Sequence, residues 1–219
     1  MPNETLTLYT YWRSSACYRA RIALNLKGLE YESVAVHLAN NEQHLPEFRE
    51  VNPQELIPVL RHGDRMLRQS LAIMEYLDET FPDNPLLPVP ARDRERTRAI
   101  ALMIACEIHP LGNLRVQQYL ERELGASQEQ RETWTRHWIN AGFRAVEDVL
   151  KDNPSTGTFC EGDVPSIADC CLVPQVYNAR RVGVDLSPYP TIARINAACL
   201  EIEAFDAARP ERQPDAPQT

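Results

Sequence analysis

Apolar and polar residues alternate from Thr5 to Tyr11, and apolar positions then recur near every 3.6 residues from Ser15 to Lys27. The pattern predicts a strand followed by an amphipathic helix, which Gly28 ends. Glu30–His37 alternates again and predicts a second strand, and a short polar helix is expected around Glu42–Glu50. Ile57–Leu60 and Arg65–Arg68 read as short strands joined by the turn His62-Gly63-Asp64. Ser70 opens a helix with Leu71, Ile73, Met74 and Leu77 on its apolar face. The order βαβ, α, ββα is that of a small open sheet covered by helices.

Prolines 82, 85, 88 and 90 interrupt any helical pattern from Phe81 to Pro90, which marks a linker. Beyond it the spacing is helical throughout: Arg92–Leu124, Gln128–Asp152, Ser166–Arg181 and Tyr189–Asp206. From Pro210 the chain is polar and proline-rich, and loose order is expected there. Two domains follow, an α/β unit over residues 1–84 and an all-α unit over 91–219.

Charge removes several function classes. A net charge of −8 gives no global attraction to nucleic acid or to an anionic membrane, so an anionic ligand would need a local group of arginines. No apolar run approaches the roughly 20 residues of a membrane span, and the first residues lack a signal-peptide pattern. The six cysteines (17, 106, 160, 170, 171 and 199) form no Cys-x-x-Cys pair. They suit reduced thiols in a cytoplasm better than a disulfide framework or a zinc site.

Candidate chemistry gathers where the first strand meets the first helix, at Arg13-Ser14-Ser15-Ala16-Cys17. A helix start offers unpaired N–H groups and a positive dipole end, which stabilise an anion such as a thiolate. The plainer reading is that a serine caps the helix and Cys17 is a small buried residue. Pro58 sits inside a short apolar strand, where it cannot donate to the ladder. A cis Ile57–Pro58 bond would resolve this and leave the Ile57 backbone to pair with an extended ligand. Gln69-Ser70, at another helix start, can cradle a carboxylate, or simply cap.

Taken together these segments resemble the zeta class of glutathione transferases, which includes maleylacetoacetate and maleylpyruvate isomerases. The resemblance is carried by Tyr11-Trp12-Arg13-Ser14-Ser15, Asn52-Pro53-Gln54, Ile57-Pro58-Val59-Leu60 and Gln69–Leu77, and continues through Cys171–Val176, Val184–Pro190 and Arg212-Gln213-Pro214-Asp215. It implies a thioredoxin-like N-terminal domain, an all-α C-terminal domain, glutathione as cofactor, a homodimer and a small dicarboxylate substrate. Glutathione would be held by Ser14, Gln54, Ile57, Pro58, Gln69 and Ser70. The catalytic residues would be Ser14, Ser15, Arg13 and Arg181, and substrate would meet Arg13, His109, Asn113, Arg115 and Arg181. One departure stands out: the class places a cysteine directly after the two serines, and here Ala16 holds that place.

The implied reaction is cis–trans isomerisation of maleylacetoacetate, as in tyrosine breakdown, by reversible addition of the glutathione thiolate. Maleylpyruvate isomerisation and a zeta-type transferase or dehalogenase are the near alternatives. A glutaredoxin-like reductase using Cys17 and a non-catalytic binding protein are more distant ones. Ser166-Ile167-Ala168-Asp169 fits a capping box and reads as structural. Pro110, within His109–Arg115, must free the Cys106 carbonyl and break the long helix.

Overall fold

A computed structural model of the chain describes residues 4–217. Strands β1 (Leu6–Thr10), β2 (Glu32–Ala35), β3 (Val59–His62) and β4 (Arg65–Arg68) form one mixed sheet in the order β2-β1-β3-β4. β1 runs parallel to β2, with Thr7 opposite Glu32, and antiparallel to β3, with Tyr9 opposite Val59. β4 returns antiparallel to β3, with Arg68 opposite Val59. The parallel pair needs a crossover, and helix α1 (Ser15–Leu26) supplies it. Leu6, Leu8, Val59 and Leu60 are buried on the sheet; Cys17, Ile22, Ala23 and Leu24 of α1 and Ile73, Met74 and Leu77 of helix α3 (Ser70–Thr80) are buried with them.

This register has a functional consequence. The C-terminal end of β1, the N-terminal end of β3 and the C-terminal end of β4 all fall at one end of the sheet. The turn before α1, the Ile57-Pro58 step and the start of α3 are therefore delivered to the same place.

The expected polar helix around Glu42–Glu50 is divided into 3-10 turns at Leu38–Asn40 and Glu42–His44 and a short helix α2 (Pro46–Val51). Pro46 explains the division, since proline is tolerated in a helix's first turn and not in its interior. β3 begins at Val59 rather than Ile57, because Pro58 brings no N–H to the ladder.

The helical region holds α4 (Ala91–Leu102), a π-helical turn at Met103–Ile108, a 3-10 turn at His109–Gly112, α5 (Leu114–Arg122), α6 (Gln128–Leu150), α7 (Ile167–Arg181) and α8 (Pro190–Leu200). Ala91–Arg122 is the one described stretch long and apolar enough to match a membrane span; Pro110 breaks it, and its Ile100, Ala101, Ile104 and Ile108 are buried. The helix expected over Tyr189–Asp206 is in fact two, α8 and α9 (Glu203–Ala207), separated where Ile202 is extended (φ −88°, ψ 126°). No helix-breaking residue marks that point. What fixes it is tertiary: α1 takes hold of α9 through Tyr18 and Asn25, which donate to the Phe205 and Ala204 carbonyls.

Two compact units result. One comprises the residues up to Leu87 together with those from Leu200 onward, and the other runs from Pro88 to Cys199. The crossover near Leu87 lies in the proline-rich segment, whereas the C-terminal residues join the α/β unit instead of the helical one. The tail is also more ordered than its composition suggests. A 3-10 turn forms at Pro210–Arg212, and Gln213 Nε2 donates to the carbonyls of Ala207 and Arg209 at 3.0 and 2.8 Å.

Candidate active site

Ser14 caps α1. Its backbone is extended, its N–H donates to the Tyr11 carbonyl at 3.0 Å, and its Oγ accepts from the Cys17 N–H at 3.3 Å. While its oxygen accepts from the Cys17 N–H, the hydroxyl can turn its hydrogen either to the Cys17 sulfur or to a ligand's anion. The first turn of α1 contains no acidic residue, so the positive end of its dipole is not neutralised from within. Ser15 is the first helical residue; Arg13 is exposed, with its guanidinium carbon 5.6 Å from the Trp12 ring centroid.

Cys17 lies the other way. It is 0 % exposed, in an apolar cluster with Tyr11, Val36, Phe48, Ile57 and Val59. Burial pushes its thiol above the usual range, and the Arg21 charge and a hydrogen bond with Ser14 only partly offset this. A neutral, buried thiol is no nucleophile, so the glutaredoxin-like alternative has no chemical basis here. Of the six cysteines, Cys106 alone is exposed.

The Ile57–Pro58 peptide is cis, and Ile57 lies two residues before the first paired position of β3. The preceding loop is braced by Asn52, whose Nδ2 donates to the Leu56 carbonyl at 2.6 Å while its Oδ1 accepts from the Gln54 N–H at 3.1 Å. Glu55, in the left-handed region (φ 57°), accepts from His44 at 2.6 Å and pairs with Arg49, contacts that hold its carboxyl below the usual range. Gln69 is also left-handed (φ 69°), and its Nε2 donates to Gln54 Oε1 at 2.9 Å. Ser70 follows, buried at the start of α3, where no side chain caps the helix N–H groups.

Of the residues expected to bind a cofactor, Gln54 and Gln69 are thus in direct contact, with Ser70 next in chain. Ile57 packs in one cluster with Tyr11, three residues before Ser14. Sequence reasoning passed over Arg19, which donates from Nη1 to Ser70 Oγ at 3.4 Å, and Arg68, which braces the Asn52 loop through the Val51 carbonyl at 2.7 Å. An arginine in an amphipathic helix ordinarily reads as solvated, so no local signal marks Arg19, which is 2 % exposed.

In the helical unit, His109 opens the 3-10 turn that contains Pro110, and Asn113 caps α5 by accepting from the Arg115 N–H at 3.1 Å. Trp134 Nε1 anchors this turn through the Leu111 carbonyl at 2.7 Å. Arg115 is exposed. Arg181 ends a different helix, α7, and donates to Asn178 Oδ1 at 2.7 Å. His109, Asn113 and Arg115 therefore share one segment, and Arg181 stands on another.

Residues 8–85 match the family model for the glutathione S-transferase N-terminal domain. A probable maleylacetoacetate isomerase of Vibrio cholerae serotype O1 is 52 % identical, over 97 % of this chain and 99 % of its own. The holo structure of a maleylpyruvate isomerase, a bacterial zeta-class glutathione S-transferase, superposes with a TM-score of 0.95 at 47 % identity, covering 96 % of this chain and all (100 %) of its own. Maleylacetoacetate isomerase from Methylobacterium extorquens AM1, solved with malonate and GSH bound, gives a TM-score of 0.94 at 42 % identity, covering 97 % and 100 %.

Proposed function

The chain belongs to the zeta class of the glutathione transferase family, and from that premise we propose that it converts maleylacetoacetate to fumarylacetoacetate with glutathione as cofactor. The observation that carries this reading is the convergence of Ser14, cis Ile57–Pro58 and the Gln54–Gln69–Ser70 group at one end of the sheet, with no protein thiolate among them.

The donor set fits glutathione. The uncapped start of α3 with Ser70, flanked by the Gln54–Gln69 amides, suits a carboxylate, and the Ile57 backbone outside the ladder suits an extended peptide. The Ser14 hydroxyl and the first N–H groups of α1 suit a sulfur anion. When bound, glutathione supplies the nucleophilic thiol whose reversible addition makes the double bond rotatable. The chain's own task is electrostatic. Ser14 donates its hydroxyl hydrogen to the sulfur and holds the charged form, and Ser15 opens the helix turn whose N–H groups face the same charge. The burial of Cys17 keeps a competing thiol away.

The resemblance supports the remaining assignments. Arg13 and Arg181 hold substrate carboxylates, for which a guanidinium fork is better suited than an ammonium. His109, Asn113 and Arg115 border the substrate and offer donors as its carbonyl gains charge. The α/β unit binds glutathione, and the helical unit, Pro88 to Cys199, binds substrate. The resemblance adds a homodimer, and cysteines that are all free suit a reducing cytoplasm.

An ultraviolet assay with maleylacetoacetate and, separately, maleylpyruvate, with and without catalytic glutathione, tests this. Turnover of maleylacetoacetate that requires glutathione and does not consume it is expected. Turnover of maleylpyruvate alone would change the substrate. A glutathione conjugate accumulating from halo-acids, with no isomerisation, would overturn the reading.

A further inference from the structure

The C-terminal stretch returns to the turn that carries Ser14, and its contacts there are specific. Arg21, 0 % exposed on α1, donates from Nε to the Ala208 carbonyl at 3.1 Å. Its other nitrogens go to the turn: Nη1 to Thr10 Oγ1 at 3.1 Å and to the Tyr11 carbonyl at 3.3 Å, and Nη2 to the Trp12 carbonyl at 3.0 Å. Asp215 Oδ2 accepts from the Trp12 N–H at 2.8 Å. The Tyr11–Trp12 peptide is thus gripped on its carbonyl by Arg21 and on its N–H by Asp215. The next peptide is gripped on its carbonyl by Arg21 again. The Tyr11 carbonyl also accepts the Ser14 N–H, so the grip passes directly to the capping serine.

The segment that delivers these groups is braced internally. Asp206 pairs with Arg209 at 3.1 Å and with Arg212 at 2.6 Å, and Gln213 spans back to the Ala207 and Arg209 carbonyls. Tyr18 and Asn25 hold its beginning through the Phe205 and Ala204 carbonyls at 3.4 and 3.0 Å. A tail serving only to cover apolar surface would not need a carboxylate committed to a backbone N–H 203 residues earlier in the chain.

We propose that residues 204–215 form a strap that positions the thiol-binding turn, with Asp215 and Arg21 as its positioning residues. The inference rests on the glutathione reading above, since the strap aims the Ser14 hydroxyl and the first N–H groups of α1 at the bound sulfur. It separates geometry from charge by sign. Loss of the Asp215 carboxylate removes a negative charge near the turn, which by charge alone would lower the pKa of a bound thiol. Loss of the hydrogen bond frees the Trp12 peptide, misplaces the donors and raises that pKa.

The test is titration of the thiol of glutathione bound to the full-length protein, followed by thiolate absorption without substrate. Wild type, Asp215→Ala and Asp215→Asn are compared, with kcat/KM and thermal midpoint measured alongside. Asp215→Ala is expected to raise the bound thiol's apparent pKa by about one unit and to lower kcat/KM about tenfold near neutrality. Asp215→Asn keeps an acceptor oxygen and should keep the thiol pKa within about 0.3 unit, and kcat/KM within about twofold, of wild type. A lower thermal midpoint in Asp215→Ala with an unchanged thiol pKa would overturn the strap and leave the tail a structural element. Equal effects in both variants would overturn the hydrogen bond as the link. A wild-type protein whose bound thiol titrates like free glutathione would instead remove the thiol site itself, and the strap's purpose with it.

Discussion

At the start of α1 the Ser14 hydroxyl accepts from the Cys17 N–H at 3.3 Å, and at the start of α7 the Ser166 hydroxyl accepts from the Ala168 N–H at the same 3.3 Å. Beyond that shared cap the two ends differ. In α7 the Asp169 carboxylate lies within the first turn. It accepts from the Ser166 N–H and hydroxyl at 2.9 and 2.8 Å and from the Cys160 N–H at 2.9 Å, all of it buried. The positive end of that helix already contains its anion. In α1 the corresponding position is Cys17, neutral and turned into the core, and no acid occupies the first turn. The start of α8 repeats the filled case, with Glu147 accepting from the Thr191 and Ile192 N–H groups at 2.9 and 3.0 Å. The same serine therefore locks a fold where an acid follows it and leaves a place for a ligand's anion where none does.

The largest expected effect comes from emptying the filled end. Asp169→Ala strands two backbone N–H groups and a hydroxyl in the interior and should cost about 4 kcal/mol in urea unfolding. The protein that remains folded should keep its kcat, and a variant as stable as wild type would break the comparison. Ser14→Ala works on the open end. It should lower kcat/KM about a hundredfold, as loss of a positioned donor does, for a stability cost of only about 1 kcal/mol from the lost cap. Filling the open end sharpens the contrast further. Ala16→Asp places an acid in the first turn of α1 at a half-buried position, and calorimetry should show glutathione affinity reduced by about tenfold or more. The smallest effect is expected from Cys17→Ala, with kcat/KM within about twofold of wild type, because burial keeps the thiol protonated. Alkylation of native protein followed by peptide mass mapping should accordingly mark Cys106 and spare Cys17 at every pH where the fold persists.

Much of this was legible in the chain. The period-2 and period-3.6 segments gave the strands and helices of the α/β unit, and Ser166-x-x-Asp169 announced its capping box. Ser14, Gln69 and Ser70 stood at helix starts, as their spacing requires. What stayed hidden was long-range. The break between α8 and α9 has no local breaker, and the tail is tied to Trp12, 203 residues away, whose N–H donates to Asp215. The burial of Arg19 and Arg21 was equally silent, since a guanidinium reads as a surface group until its acceptors are known. The direction of Cys17 could be weighed but not fixed by periodicity alone, because it depends on Ile57 and Val59 arriving from another part of the chain.

The most direct test of the open helix start is the ionisation of bound glutathione in wild type and Ser14→Ala, followed by thiolate absorption across pH. Free thiols titrate at about 8.5. The account predicts a clearly lower apparent pKa in wild type, and in Ser14→Ala a return towards the free value by about one unit or more. Identical titrations in the two proteins would contradict it, and would show that the anion is stabilised by something other than the Ser14 hydroxyl.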